Sequence, residues 1–256
     1  MTFGEPLRHL PTVDSTNTEA MRWVKEDPPA PEGAVVWADD QTAGRGRWGR
    51  QWVSAPGNSL TFSLVLRPTF GVDRLGLVTI VAGVACAEGI GRASGLATRT
   101  KWPNDVLIGG RKVAGVLCES QVTRDGIEAV VVGMGINLDL PADLPDDVAG
   151  RATSLVTELG ASRRPEEVMA PILEALSAHY SALSAKDLGE ESPLLDLANR
   201  GCETIGKKVV VRWPDGRVET GRAEMILPSG ALYILDTEAG EALAVDVAEV
   251  EHLREA

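Results

Sequence analysis

Between Gly44 and Trp52 the chain reads GRGRWGRQW, three arginines set among three glycines in a protein whose formal net charge is −12. Arginine offers a planar, permanently charged fork that matches carboxylate and phosphate oxygens, and glycine lets the backbone come close to a ligand. The segment is suited to receive an anion; a solvated arginine loop with no ligand would leave the glycine spacing unexplained. Gly44, Gly46 and Gly49 also satisfy GxGxxG, but a dinucleotide fingerprint leads directly into a helix. Here residues 51–59 (QWVSAPGNS) are turn-like and run into a strand. A Walker A sequence is missing, as are the segments that accompany a kinase glycine loop.

Two further segments carry chemistry. In TKWPND, residues 100–105, Lys101 is expected at a strand end, and Pro103 takes the chain out of regular pairing and turns its neighbours toward a cleft. Taken alone, Lys101 reads equally well as a strand-end accident. In DSTNTEA, residues 14–20, Thr16 followed by Glu19 matches a capping box, and Ala20, Met21 and Val24 continue at helical spacing. A helix over residues 17–26 is therefore predicted. Ser15, Thr16 and Asn17 hold more donors and acceptors than a cap needs, which suits a small neutral ligand with several polar atoms.

These segments, together with KVAGVLCE at residues 112–119 and VVVGMGINLDL at residues 130–140, resemble in order and spacing those of the biotin protein ligases. Many members of that family open with a helix-turn-helix domain, but here STN already stands at position 15, so the resemblance is to the ligase-only form. It implies that biotin's carboxylate attacks the α-phosphorus of ATP, giving biotinyl-5′-AMP and pyrophosphate, and that the anhydride then acylates a lysine of a biotin carboxyl carrier domain. ATP, biotin and Mg²⁺ are the implied small molecules.

Two anions meet in the first step, so a desolvated cation is required at the reacting centre. By resemblance Lys101 supplies it, with Arg47 in the loop that closes over the adenylate; these two are the implied catalytic residues. The biotin set is Ser15, Thr16, Asn17, Gln41, Gly44, Arg45, Gly46, Arg47, Lys101, Gly115 and Leu117. The ATP set is Arg47, Arg50, Trp52, Lys101, Asn104, Asn137 and Arg254. No metal ligand is certain, though Asn137 and Asp105 are placed near Mg²⁺ on the phosphates. Biotin's ureido head needs the donors and acceptors of Ser15, Thr16 and Gln41, while Trp48, Trp52 or Leu117 could cover its apolar parts; for Trp52, core packing is an equal alternative. Lipoate or octanoate attachment stays open because such enzymes share the catalytic fold and a lysine, although GRGRWGR and KWPND count against it. A non-catalytic biotin sensor acting on DNA is the other alternative, but it would have no use for Lys101.

Length, composition and charge narrow the classes. The chain has 256 residues, 44% of them hydrophobic, as in soluble globular proteins. No apolar run of membrane-span length is evident and the N-terminus lacks a signal-peptide pattern, so a cytoplasmic location without a membrane partner is expected. A pI near 4.8 argues against DNA or other non-specific nucleic-acid binding. Cys86, Cys118 and Cys202 form no CxxC pair, and none of His9, His179 and His252 reads as catalytic.

The elements that must position these groups read as α+β: a mixed β-sheet flanked by helices, which by resemblance is the class II aminoacyl-tRNA synthetase/biotin ligase-like domain. Strands are expected at residues 34–38, 59–66, 113–121 and 128–132, with a hairpin turn at IGGRK (108–112) and a turn at 124–126. Helices are expected at residues 75–93, 165–184 and 192–202. From Ile205 four short β segments, separated by PDG, PSG and EAG, suggest a small barrel, the place of the family's SH3-like C-terminal domain. The expected division is residues 1–203 and 204–256, with no flexible linker between.

Overall fold

The computed structural model describes residues 2–53, 55–124, 126–141, 144, 146–184, 192–235, 237, 240–246 and 248–252. The order is β1 (Leu7–Val13), α1 (Thr16–Val24), β2 (Val35–Gln41), β3 (Ser59–Leu66), α2 (Leu75–Ser94), β4 (Thr98–Lys101), β5 (Asp105–Ile108), β6 (Arg111–Thr123) and β7 (Gly126–Asn137). Then come α3 (Asp146–Ala149), α4 (Leu155–Leu159), α5 (Pro165–Leu183) and α6 (Pro193–Gly201), followed by β8 (Lys208–Arg212), β9 (Val218–Ile226), β10 (Leu232–Leu235), β11 (Leu243–Val245) and β12 (Glu249–His252).

The first seven strands form one sheet in the order β1-β2-β3-β7-β6-β5-β4. Only β1 and β2 run parallel within it; β1 was not evident from the sequence, where its alternation is interrupted by Pro11. β3 is buried along its whole length, so both faces of the sheet are covered. Leu60, Phe62, Leu64 and Leu66 enter the main core with α2 and α5, whereas Val65 joins Ala20, Trp23 and Val24 of α1 on the opposite face. Because strand side chains alternate, the residues between those leucines, Thr61 and Ser63, point to the α1 face, and both are buried polar groups there. β7 divides in the same way. Val130, Val132, Met134 and Ile136 fill the core, Ala129 and Val131 lie under α1, and the next two positions of that face are Gly133 and Gly135. A recess opens above them.

α2 is apolar over most of its surface, with twelve buried residues. By length and composition the stretch Val72–Ser94 is apolar enough to cross a membrane, which corrects the expectation that no run approaches a span; in the fold it is a core helix, with 67% of its most apolar window buried. The small residues serve close packing, though the tightest approaches are not to the first sheet: a Cβ on Gly89 would lie 2.5 Å from the Ile172 backbone of α5, and one on Gly76 2.5 Å from the Ser229 carbonyl oxygen. α5 buries the expected stripe of Met169, Ile172, Leu173, Leu176 and Tyr180, and His179 is a core-edge residue bonded to Glu88 at 2.7 Å.

The last five strands form an antiparallel sheet, β11-β10-β9-β8-β12, in the position of the SH3-like domain. The single segment expected at the C-terminal end divides into β11 and β12, because these lie at opposite edges of the sheet. This sheet is tied to the first by backbone and side-chain bonds around the end of β4. Glu203 N–H donates to Thr100 C=O at 2.7 Å, Trp102 N–H to Thr204 Oγ1 at 3.1 Å, and Trp102 Nε1 to Gly230 C=O at 3.0 Å.

Candidate active site

The recess above Gly133 and Gly135 is built first by the start of α1. Ser15 is the N-cap, in extended conformation, and its hydroxyl makes no cap bond; the helix begins at Thr16 rather than Asn17. The expected capping box is absent because its partners are engaged elsewhere. Thr16 N–H donates to Gln41 Oε1 at 2.8 Å, and its hydroxyl stands between that oxygen at 3.2 Å and Ser63 Oγ at 2.8 Å, while Glu19 pairs with Arg22. Asn17, expected against biotin, is committed to the protein. Its Oδ1 accepts from Ser63 Oγ at 2.6 Å, and its Nδ2 donates to Glu119 Oε2 at 2.8 Å and Leu117 C=O at 3.2 Å. A Cβ on Gly133 would sit 2.0 Å from that Oδ1, so glycine at 133 makes room for the amide. Ser15 Oγ and the Gln41 amide nitrogen are left for a ligand.

The arginine segment folds back on itself as a narrow loop. Arg45 and Gln51 bridge as antiparallel partners, Gly46 N–H donates to Arg50 C=O at 2.7 Å, and Trp52 N–H to Gly44 C=O at 3.0 Å. A Cβ on Gly44 would stand 2.6 Å from the Trp52 carbonyl oxygen, so close backbone approach requires the glycine. At the tip Trp48 is left-handed, with φ 55°, and 42% exposed, with the Arg47 guanidinium 4.7 Å from its ring centre. Left-handed backbone at a bulky residue is uncommon and concentrates at functional loops. Arg45 Nη2 meets Glu119 Oε2 at 2.7 Å, the same oxygen that receives Asn17.

Trp52, for which core packing and a place in the site were equal alternatives, lines the recess. Its indole lies on the glycine floor, where a Cβ on Gly135 would be 2.5 Å and one on Gly115 3.3 Å from the ring. Its Nε1 is buried without a hydrogen-bond partner. An orphaned buried donor carries a desolvation cost of about 1–3 kcal/mol, which a ligand acceptor would relieve.

Lys101 ends β4 opposite Asp105, as expected of a strand-end lysine. Asp105 is held by Lys112 Nζ at 2.6 Å, and that ammonium is 5.7 Å from the Trp52 ring centre. Asn104 Nδ2 donates to Val116 C=O at 2.8 Å, which fixes the KWPND turn against β6.

Together these groups enclose a cavity of about 210 Å³, lined by Ser15, Thr16, Asn17 and Gln41 and by Lys101 to Asp105, with Arg45 to Trp48 and Arg50 to Trp52 as one wall. Gly115, Leu117 and Gly135 contribute to its floor. Arg45, Arg47, Arg50, Lys101 and Lys112 line it against one carboxylate, Asp105. Such an excess of cations in a net-acidic protein, set in a recess, favours anionic groups and charge transfer between them. A second cavity, about 480 Å³, shares Arg47, Trp48, Trp102, Pro103, Val116 and Leu117 with the first and extends toward α2 and Ser229–Ala231 of the C-terminal sheet.

Among the described residues, the expected Gly44 and Asn137 do not line the cavity; Gly44 packs against the Trp52 carbonyl oxygen. Asn137, placed by resemblance near phosphate and metal, does not line either cavity; its Nδ2 bridges Thr153 C=O at 3.0 Å and Lys112 C=O at 3.5 Å, because β7 ends there and the next segment needs anchoring. Arg254 lies outside the described residues. Among the described residues no three His, Cys, Asp or Glu side chains gather as a metal site, which accords with Asp105 being paired to a lysine. Ser63, Lys112, Glu119, Gly133 and Gly135 were not singled out from the sequence. The two glycines and Glu119 could have been, since the glycines break a run of apolar β7 residues at alternate positions and Glu119 is a charge in a strand. Cys86 and Cys118 have thiols pushed up to about 12 by burial, so neither is a thiolate nucleophile.

A family model described as the biotin/lipoate A/B protein ligase family matches residues 10–137. Among proteins of similar sequence, a biotin–[acetyl-CoA-carboxylase] ligase of Paracoccus denitrificans is 37% identical over 233 residues, covering 88% of this chain and 92% of that one. A bifunctional ligase/repressor, BirA of Bacillus subtilis, is 39% identical over 179 residues, 70% of this chain, but the match spans only 54% of its length. Among solved structures, a biotin protein ligase from Aquifex aeolicus in complex with biotin and ATP superimposes with a TM-score of 0.80 at 27% identity, covering 98% of this chain and 100% of that chain.

Proposed function

The chain belongs to the biotin/lipoate A/B protein ligase family, and on that premise we propose that it is an ATP-dependent biotin protein ligase. The observation that carries the reading is the convergence of unlike groups in one cavity: neutral hydrogen-bonding groups at the start of α1, Lys101 at the end of β4, and the arginine loop along one wall. Biotin likewise has two unlike ends, a ureido head and a carboxylate, joined by an apolar ring and chain.

Ser15 Oγ, Gln41 Nε2 and Trp52 Nε1 are the groups we assign to the polar head. The Thr16 hydroxyl and the Asn17 amide hold these elements in place rather than meeting the ligand. At the other end Lys101 and Arg47 offset the repulsion between biotin's carboxylate and the α-phosphate of ATP. A carboxylate oxygen bonds to the α-phosphorus as the bond to the bridging oxygen of the β-phosphate breaks, and pyrophosphate leaves. A carrier lysine, as its free amine, then attacks the acyl carbon and AMP departs. Mg²⁺ enters on the phosphates of ATP, its charge adding to that of the loop. Arg50 is assigned to the nucleotide side of the loop, Trp52 to the biotin side rather than to the ATP set, and Asn104 to holding the turn that carries Lys101. The acceptor is a biotin carboxyl carrier domain, the setting is the cytoplasm, and residues 1–203 and 204–256 are treated as the two domains.

Lys101→Ala tests the assignment. Adenylate formation from biotin and MgATP should fall by about 10³-fold, as for loss of a preorganised charge, while biotin affinity changes by less than about tenfold. A folded variant forming biotinyl-AMP at the parental rate would remove Lys101 from the chemistry.

A further inference from the structure

The backbone on both sides of Lys101 is clamped by the segment that joins α6 to β8. Thr100 C=O accepts from Glu203 N–H at 2.7 Å, and Trp102 N–H donates to Thr204 Oγ1 at 3.1 Å. Thr204 is fully buried. Its hydroxyl is in turn 3.1 Å from His252 Nε2, and His252 Nδ1 is 3.5 Å from Lys207 Nζ. An ammonium can only donate, so Nδ1 is the acceptor in that contact. Nε2 then carries the ring proton and donates to Thr204.

His252 lies on β12, two residues from Val250, so the two side chains share a face of the strand. Val250 lines the active-site cavity. Glu251, on the other face, is turned toward Arg212, 3.9 Å away. One face of the last described strand therefore meets both the cavity wall and the support behind Lys101.

Resting on the reading of the cavity as a biotin-activating site, we propose that His252 is a positioning residue for Lys101: a neutral imidazole, protonated at Nε2, that holds the Thr204 hydroxyl against the Trp102 backbone and so fixes the lysine's strand end. The charged groups around the imidazole agree with a neutral ring. Burial, Lys101 from β4 and Lys207 from the segment before β8 all lower its pKa, to about 4, and Glu203 alone opposes them. Glu203 is itself paired with Lys207 at 2.6 Å. A proton on Nδ1 would face the Lys207 ammonium directly and break the brace.

The first test is long-range ¹H–¹⁵N NMR of the imidazole in the full parent chain at neutral pH. The Nε2–H neutral tautomer is expected; an imidazolium or an Nδ1–H ring would overturn the proposal. The second is single-turnover pyrophosphate release from biotin and MgATP, with biotin binding measured directly. His252→Leu, which keeps bulk but no hydrogen bonds, should slow the step by about tenfold or more, the scale on which small misplacements of a catalytic group act, with biotin affinity within about twofold. His252→Gln, which keeps a donor near the Nε2 position, should recover to within about threefold of the parent. A folded His252→Leu at the parental rate, or His252→Gln as slow as His252→Leu, would overturn the role. If His252→Leu does not fold, Thr204→Val interrupts the same chain of bonds and is read in the same way, and the tautomer decides independently of either. A parent chain that forms no biotinyl-AMP would contradict the proposed function instead, and the tautomer would still decide whether the brace exists.

Discussion

Asn17→Ala separates a residue that builds the site from one that binds the ligand. The amide is 3% exposed and joins three elements, receiving Ser63 of β3 and donating to Leu117 and Glu119 of β6. Each neutral bond contributes about 1 kcal/mol net and the one to the carboxylate about 1.5–3 kcal/mol. Their sum is about 3.5–5 kcal/mol. The site cavity adjoins Asn17, so water entering the space above Gly133 would rehydrate part of what is exposed, leaving a loss of about 2–3 kcal/mol. For a chain of this size that corresponds to a fall in Tm of roughly 5–10 °C. Thermal unfolding of parent and variant without ligand measures it, and biotin binding to the folded variant should weaken by less than about tenfold. A Tm within about 2 °C of the parent, combined with a hundredfold loss of biotin affinity, would refute the structural role and return Asn17 to the ligand.

The glycine floor and the buried imidazole give two further tests. Gly135→Ala places a Cβ 2.5 Å from the Trp52 ring, so the indole must move; adenylate formation should fall about tenfold or more, whereas Gly115→Ala, at 3.3 Å, should cost less. Equal rates in Gly135→Ala and the parent would show that the position of Trp52 does not matter. The folded-state pKa of His252, about 4, lies below its ordinary value of 6.5, so the unfolded chain binds the extra proton between those values. Its contribution is complete above pH 6.5 and is lost as pH falls toward 4. Because the ring is only half-buried, that contribution is about 1–2 kcal/mol after discounting for solvent screening. Urea unfolding at pH 7 and pH 4.5 should show a smaller acid loss in His252→Gln than in the parent; identical losses would contradict it.

Much of this site was legible because its chemistry lies in contiguous segments. GRGRWGRQW and KWPND announce their charges and turns locally, and both face the cavity. The mixed sheet followed from the alternation of residues such as Leu60, Phe62, Leu64 and Leu66. What stayed hidden depends on contacts between segments far apart in sequence. Thr16 and Glu19 fit a capping box, but Gln41 and Ser63, brought alongside by the sheet, take the threonine hydroxyl instead. Asn17 looks like a ligand partner until Glu119 and Leu117 are seen to receive it. Asn137 has the right neighbours in sequence for phosphate, yet it stitches the end of β7 to the segment that follows. His252 gives no local signal of a role, because its partners are Thr204 and Lys207, some forty-five residues away. β1 escaped because a parallel edge strand broken by Pro11 carries no clear alternation.

Discrimination between biotin and lipoate tests the central claim most directly. Lipoate has a carboxylate and an apolar sulfur ring but no ureido group, so Ser15, Gln41 and the Trp52 indole nitrogen would face apolar surface. Each polar group buried without a partner costs about 1–3 kcal/mol, and sites that hydrogen-bond a substrate reject analogues lacking the group by roughly 10⁴-fold. Biotin should raise the Tm and support ATP-dependent pyrophosphate release, and lipoate at the same concentration should do neither. If lipoate or octanoate stabilises the protein and drives pyrophosphate release as well as biotin does, the cavity is an acyl-attachment site of the lipoate kind and the biotin assignment is wrong.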